Sequence, residues 1–150
     1  MKDDIWMYKL SKKIICLLLS VCAIVTCAHA IEYRASDYFS KTEAQIDVQS
    51  GGKVDVWLDA TARRSMTEIG ASKIIIKEST DGGWSYSSVK TFESTKYPEM
   101  IGSGRKYTGV AVTYDGVPGR MYKATVYFYA ADSSGSDTTT YTTSAETAIK

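Results

Sequence analysis

Apolar and polar residues alternate along most of the chain after residue 44, in short runs separated by Gly, Asp and Ser. Period-two alternation is typical of a strand with one face on a core, and helical spacing is not sustained anywhere after residue 30. The runs are 44–49, 54–60, 72–80, 84–93, 105–114, 122–130 and 138–147. Seven short strands at this spacing predict an all-β antiparallel sandwich. In the fifth run, Val110, Val112 and Tyr114 are predicted to share one face.

The segments between these runs predict turns and irregular stretches. Asp81-Gly82-Gly83 is a hairpin signal that joins the third run to the fourth. Residues 115–119 (DGVPG) predict a corner. Residues 62–71 (ARRSMTEIGA) break the alternation and predict a loop or one helical turn, and residues 94–104 around Pro98 predict a loop.

The run at 122–130 carries several aromatic residues, which alternation divides between two faces. The core face takes Tyr122, Ala124, Val126, Phe128 and Ala130. The solvent face takes Lys123, Thr125, Tyr127 and Tyr129. Tyr127 and Tyr129 then stand side by side, where tyrosine rings can stack on a sugar or another planar ligand. Alternatively, the two tyrosines pair with Thr-rich neighbouring strands and only stabilise the sheet.

Trp57 is the second candidate, because it lies between Asp55 and Asp59 on the polar face of its strand. An indole ring stacks on a sugar while carboxylates accept hydrogen bonds from its hydroxyl groups. The alternative is a tryptophan covered by a loop or a long side chain, without any function. Trp84 beside the glycine turn, with Tyr86 two residues later, is a similar case. The predicted ligand-binding residues are therefore Tyr127 and Tyr129, followed by Trp57.

The first thirty residues predict a cleavable signal peptide. Lys9, Lys12 and Lys13 precede an apolar stretch, and Ala28-His29-Ala30 follows it as a cleavage site. Cleavage after Ala30 leaves residues 31–150 as one domain. The protein is then expected outside the cell, with membrane contact only through the signal peptide during export.

Removal of the signal peptide also removes reactive side chains. Cys16, Cys22, Cys27 and His29 all lie in it, so the mature chain has no disulfide, thiol nucleophile or imidazole base. The remaining acids are scattered, with no motif that selects a catalytic pair. We therefore predict a protein that is not an enzyme and that needs no cofactor or metal. A calcium site at Asp81 or residues 132–137 is the alternative, although the spacing D-x-D-x-D is missing.

The charge is almost balanced, with 18 basic and 17 acidic residues in the whole chain. Four of the basic and two of the acidic residues lie in the first thirty, which leaves a net charge of −1 on the mature chain. Such a balance provides no basic patch for nucleic acid.

Two motifs carry a resemblance to known folds. Pro118-Gly119-x-x-Tyr122-x-Ala124-x-Val126 resembles the start of strand F in fibronectin type III and other immunoglobulin-like domains, and residues 73–89 (KIIIKESTDGGWSYSSV) resemble their C–C′ hairpin. The resemblance implies an immunoglobulin-like sandwich in which the Tyr122 hydroxyl bonds back to upstream backbone. With its signal peptide, MTEIGASKIIIKE and YxAxVxFYAxxSSGSD, the chain is also similar to a small family of exported proteins of unknown function from Gram-positive bacteria. That similarity implies location and fold, and no activity.

The sequence thus predicts an exported, non-catalytic domain that binds an extracellular protein or a glycan. A secreted effector or toxin-like protein is one alternative. Another is a structural component that self-associates through the Thr-rich run at 138–147, which is predicted to be an edge strand.

Overall fold

The computed structural model describes residues 36–149. The strands are β1 (Phe39–Val48), β2 (Lys53–Ser79), β3 (Ser87–Glu93), β4 (Ile101–Asp115), β5 (Met121–Asp132), β6 (Gly135–Thr142) and β7 (Glu146–Thr147), with 3₁₀ turns at Ser50–Gly52 and Pro98–Met100. All strand pairs are antiparallel, and residues 36–149 contain no α-helix. The predicted all-β antiparallel class is confirmed. The predicted signal peptide and its cleavage after Ala30 lie outside the described residues.

The 27-residue strand β2 organises the sheet. Its first half pairs with β1 on one edge and β4 on the other, and its second half pairs with β5 and β3. β6 and β7 then pair with β5. The seven strands of the described region therefore belong to one hydrogen-bonded sheet.

β2 bends back on itself, so that its two ends lie near each other. Lys53 at its start is paired with Asp115, and Ser79 at its end is paired with Met121. The five residues between Asp115 and Met121 span roughly 20 Å at most, far less than the length of an extended 27-residue strand. The sheet is therefore curled, and its two halves face each other.

The core lies between the two halves of the sheet. Phe39 of β1 meets Phe128 of β5 edge to face, with ring centroids 6.3 Å apart, and Tyr114 of β4 meets Tyr122 of β5 at 6.0 Å. All five side chains assigned to the core face of β5 are buried, which confirms that prediction, but Thr125, assigned to the solvent face, is buried as well. Each large apolar side chain that is fully buried contributes roughly 1.5–3 kcal/mol, so closing the halves on each other supplies the main stabilisation.

The prediction of a loop or helical turn at residues 62–71 is wrong, because these residues belong to β2. Ala62, Met66 and Ile69 are buried at intervals of four and three, which does not look like a strand. The register against β4 shifts between Thr61 and Met66 and again between Met66 and Ile69. β-Bulges of this kind bend a strand and change the phase of its side chains, so the irregular stretch is the bend of β2.

Several strand limits also differ from the prediction. The 94–104 loop ends earlier, since β4 begins at Ile101, and the strand expected from residue 84 begins at Ser87. The final run divides into β6 and β7, and β6 ends the order of the sheet, which confirms its position at an edge.

Val110 does not share a face with Val112, contrary to the prediction. A register shift between Val56 and Trp57 leaves Ala111 and Val112 buried, while Val110 is exposed opposite Trp57.

Tyr122 holds the corner between β4 and β5. The Val117 N–H donates to its hydroxyl oxygen at 2.8 Å, which confirms the bond to upstream backbone that the resemblance implies. The hydroxyl donates in turn to the Glu78 carboxylate at 2.5 Å, and Arg120 bonds the other oxygen of Glu78 at 2.6 Å. Burial, together with the Glu78 hydrogen bond, raises the pKa of Tyr122 to about 12.

Candidate functional site

A groove with a volume of about 410 Å³ lies beside Trp57. β1, β2, β4 and β6 all contribute to its walls. Its polar and aromatic lining residues are Glu43, Gln45, Trp57, Asp59, Thr108, Tyr141 and Ser144.

Trp57 points outward because its neighbours Val56 and Leu58 are both buried on the opposite face of β2. Gln45 of β1 and Val110 of β4 lie opposite it in the two adjacent strands. The side chain is 37% exposed, so part of the indole ring is free to contact a ligand. The predicted outward position of Trp57 is confirmed.

Asp59 stands on the same side of β2 as Trp57 and is held in an ionic network. Lys41 donates to one of its oxygens at 2.8 Å and also bridges to Glu43 at 3.0 Å. Thr108 donates to the other oxygen at 3.2 Å, and the Lys106 ammonium lies 3.7 Å from it. The Lys41 hydrogen bond, with help from Thr108 and Lys106, lowers the pKa of Asp59, so this group stays a carboxylate.

Asp55, the other acid beside Trp57 in the sequence, is only 5% exposed. It accepts hydrogen bonds from Gln49 at 2.5 Å and from Thr113 at 2.6 Å. The Asp55 carboxylate therefore links neighbouring parts of the sheet. Of the two acids expected beside Trp57, only Asp59 is available to a ligand.

Tyr127 and Tyr129 lie on β5, in the second half of the sheet, and they do not line the groove. Both are half-buried rather than fully on a solvent face. Tyr127 pairs with Thr140 of β6, and its ring lies 4.3 Å from the Lys73 ammonium. Tyr129 pairs with Thr138. The Thr-rich neighbours that the stabilising interpretation predicted are therefore present, and the tyrosines are separate from Trp57.

Trp84 lies at the tip of the loop between β2 and β3 and is 92% exposed. The loop is ordered by its own side chains: Ser79 accepts from the Gly83 N–H at 2.8 Å, and Asp81 accepts from the Ser85 N–H at 3.0 Å. The hydroxyl groups of Ser79 and Ser85 hold the pKa of Asp81 well below its usual range. This carboxylate thus already has protein partners within the turn.

The acids of residues 132–137 are bonded to protein groups as well. Asp132 accepts from Arg64 at 2.5 Å and from Ser134, while Asp137 accepts from Ser36 at 2.5 Å. Within residues 36–149, no three His, Cys, Asp or Glu side chains come together in a way that could hold a metal ion.

Within residues 36–149, no helix is long and apolar enough to cross a membrane.

Comparison with protein-family models, curated proteins and solved structures found no match for this chain. The similarity to exported proteins of Gram-positive bacteria stays a prediction.

Sequence reasoning missed Glu43, Gln45, Thr108, Tyr141 and Ser144 as lining residues. Alternation gives Gln45 its outward phase, but it does not indicate that β1 lies beside Trp57. Thr108 and Tyr141 are separated from Trp57 by tens of residues. The pairing of β4 with β2 brings Thr108 close to Trp57, whereas Tyr141 of β6 reaches the groove because the sheet is curled.

Proposed function

We propose that this protein is an exported, non-catalytic domain that binds a hydroxyl-rich ligand, specifically a sugar ring of an extracellular glycan, in the groove at Trp57. The observation that carries the proposal is a partly exposed indole ring beside a carboxylate within one groove. The apolar face of a sugar stacks on an aromatic ring, and its hydroxyl groups donate to carboxylate oxygens.

The size and polarity of the groove support this ligand class. A volume of about 410 Å³ falls within the roughly 300–1,000 Å³ of small-molecule sites. Gln45, Thr108 and Tyr141 add hydrogen-bond donors and acceptors around Trp57. A lining of one aromatic platform with several amide and hydroxyl groups suits a polyol better than a wholly apolar ligand.

The charges of the groove favour binding over catalysis. Glycoside hydrolysis requires a carboxyl group that keeps a proton at working pH. The Lys41 ammonium bonds Asp59 and bridges to Glu43, and the pKa of Asp59 is lowered rather than raised. Asp59 is thus suited to accept hydrogen bonds from hydroxyl groups and unsuited to donate a proton.

The finer assignment of the fold is also part of the proposal. We infer that the curled sheet is a variant of the immunoglobulin-like sandwich and that residues 1–30 direct its export from a Gram-positive cell. Support comes from the Tyr122 corner, whose hydroxyl accepts from Val117, and from two facing halves around one core. N-terminal sequencing of the exported protein tests the location, with Ile31 as the expected first residue.

The binding test compares two tryptophans. The protein is applied to an array of neutral, amino and acidic oligosaccharides together with isolated cell-wall glycan, as wild type, Trp57→Ala and Trp84→Ala. We expect at least about fivefold weaker binding for Trp57→Ala, since one aromatic stacking contact is worth about 1–3 kcal/mol. Trp84→Ala is the matched control and should bind as wild type does.

Two results count against the proposal. If the wild-type protein binds none of the glycans, the ligand class is wrong. If Trp84→Ala weakens binding as much as Trp57→Ala does, the groove is not the site.

A further inference from the structure

β6 has a long edge with backbone groups that point away from its neighbour. It pairs with β5 over eight consecutive residues, from Gly135 to Thr142, without a register shift. The Thr143 N–H points toward β5, where it bonds the Ala124 carbonyl at 2.9 Å. The Thr138 N–H instead bonds the Asp137 side chain at 2.8 Å. Because these directions alternate along a strand, the backbone groups of the even-numbered residues from 136 to 142 point outward.

The other edge strands carry features that discourage pairing with another chain. β1 has Lys41 and an irregular register, β3 has Lys90 and a register shift, and β4 has Arg105, Lys106 and three shifts. Lysines, bulges and prolines are the usual protection of a sheet edge.

β6 lacks all of these features. It contains no Lys, Arg or Pro, and its one charged residue is Asp137, whose carboxylate is already bonded to Ser36 and to the Thr138 N–H. A regular edge with a single charged residue is a template for another strand, here through the backbone groups of Thr140 and Thr142.

We propose that β6 pairs in antiparallel fashion with β6 of a second copy of this chain, with the twofold axis at Thr140. This register places Thr140 opposite Thr140 of the partner subunit and Thr138 opposite Thr142 of the partner subunit. Threonine pairs directly across an antiparallel ladder are favourable, and no like charges face each other. We choose a second copy of this chain as the partner of the β6 edge, because the sequence around Thr140 is complementary to itself under a twofold rotation.

The consequence is a dimer in which the sheet continues across two subunits. This pairing uses the backbone of β6 and does not depend on any ligand in the Trp57 groove. Tyr141 lines the groove and also lies on β6, so the tests leave Tyr141 unchanged.

The first test measures the mass of the purified full chain by sedimentation equilibrium over a range of concentrations. Wild type should form dimers. Thr140→Lys and Thr140→Glu each place like charges opposite each other and should raise the dissociation constant at least about tenfold. An equimolar mixture of the two variants restores an opposite-charge pair and should dimerise again. Thr91→Lys changes an exposed threonine of β3 in the same way and should dimerise like wild type.

A second test needs no substitution, and so does not depend on whether a variant folds. Amide hydrogen exchange of wild type should slow at Thr140 and Thr142 as concentration rises, because these N–H groups become paired in the dimer. Exchange at both amides that is independent of concentration would overturn the proposal. So would a monomeric wild type, a dimer that survives both charge variants, a mixture that stays monomeric, or a dimer lost with Thr91→Lys.

Discussion

Trp57 and Tyr127 are both outward-facing aromatic residues in the middle of a strand, on different halves of the curled sheet. Tyr127 is half-buried, with the Lys73 ammonium over its ring and Thr140 opposite it on β6. Trp57 is 37% exposed and opens into a groove beside Asp59. Alternation places both residues on the outward face. The neighbouring strands pack against Tyr127, so that it stabilises the sheet, whereas they leave Trp57 free to contact a ligand.

Whether an outward aromatic residue stabilises the sheet or stays free to contact a ligand therefore depends on its cross-strand neighbours. Tyr127 and Tyr129 lie beside the threonines of β6, which pack along them. Beside Trp57, the neighbouring strands leave a groove that Asp59, Thr108 and Tyr141 help to line. Tyr127 and Tyr129 remain predicted ligand-binding residues, although the groove makes Trp57 the stronger candidate.

The largest expected effect comes from a substitution in the bend of β2, which separates the two halves of the sheet. The Gly70 backbone has φ +153°, and a Cβ added there would lie 2.0 Å from the Met100 carbonyl oxygen. Gly70→Ala should therefore lower the free energy of unfolding by about 3 kcal/mol or more, measured by urea denaturation. Gly109→Ala is the matched control, because Gly109 has the same φ with nothing within 4 Å. Equal losses for the two variants would show that backbone strain, not the Met100 contact, sets the cost.

The second effect concerns the corner between β4 and β5, where Tyr122 bonds to Val117 and Glu78. Tyr122→Phe leaves the Val117 N–H and the Glu78 carboxylate without their shared partner, and should cost about 1–3 kcal/mol. The Tyr122 pKa is about 12 in the folded state against an ordinary 10.0. Because the folded state holds this proton more tightly, the contribution is complete below pH 10.0 and is lost as pH rises toward 12.

The measurement for this residue is the pH dependence of unfolding for wild type and Tyr122→Phe. The difference in stability between the two proteins should shrink between pH 10.0 and about 12. A difference that stays constant over this range would contradict the assigned role of the hydroxyl proton.

Tyr127 and Tyr129 are expected to contribute to stability and not to binding. Replacing Tyr127 and Tyr129 together by Thr removes ring packing and the contact with Lys73, and should lower the free energy of unfolding by about 1–2 kcal/mol. Glycan binding should be unchanged in this variant, in contrast to Trp57→Ala. A double variant that keeps its stability and loses binding would reverse the comparison and move the site to the second half of the sheet.

The smallest expected effect belongs to Trp84, which is 92% exposed. Trp84→Phe should change the free energy of unfolding by less than about 0.5 kcal/mol. It leaves Trp57 as the only tryptophan among residues 36–149, so the fluorescence of the variant reports on the groove. A sugar that binds there should change the Trp57 emission, and a bound sugar that leaves the emission unaltered would locate the ligand elsewhere.

Local patterns along the chain were sufficient to predict the all-β class, the turns at Asp81 and at residues 115–119, and the buried core face of β5 from Tyr122 to Ala130. These features are local, because alternation and turn residues depend on a few neighbouring positions. The outward phase of Trp57 was predicted for the same reason.

The way the strands meet could not be predicted from local patterns. Ala62, Met66 and Ile69 are buried at intervals of four and three residues, which is not the period of two of a regular strand. The intervals are explained by the bulges against β4, which change the phase of the side chains. The groove likewise depends on Thr108, which the pairing of β4 with β2 brings close to Trp57, and on Tyr141, which the curl of the sheet brings there. The Asp55 carboxylate does not take part in the site, because it accepts hydrogen bonds from Gln49 and Thr113. Pairing between strands joins residues far apart in the chain, so no local pattern specifies it.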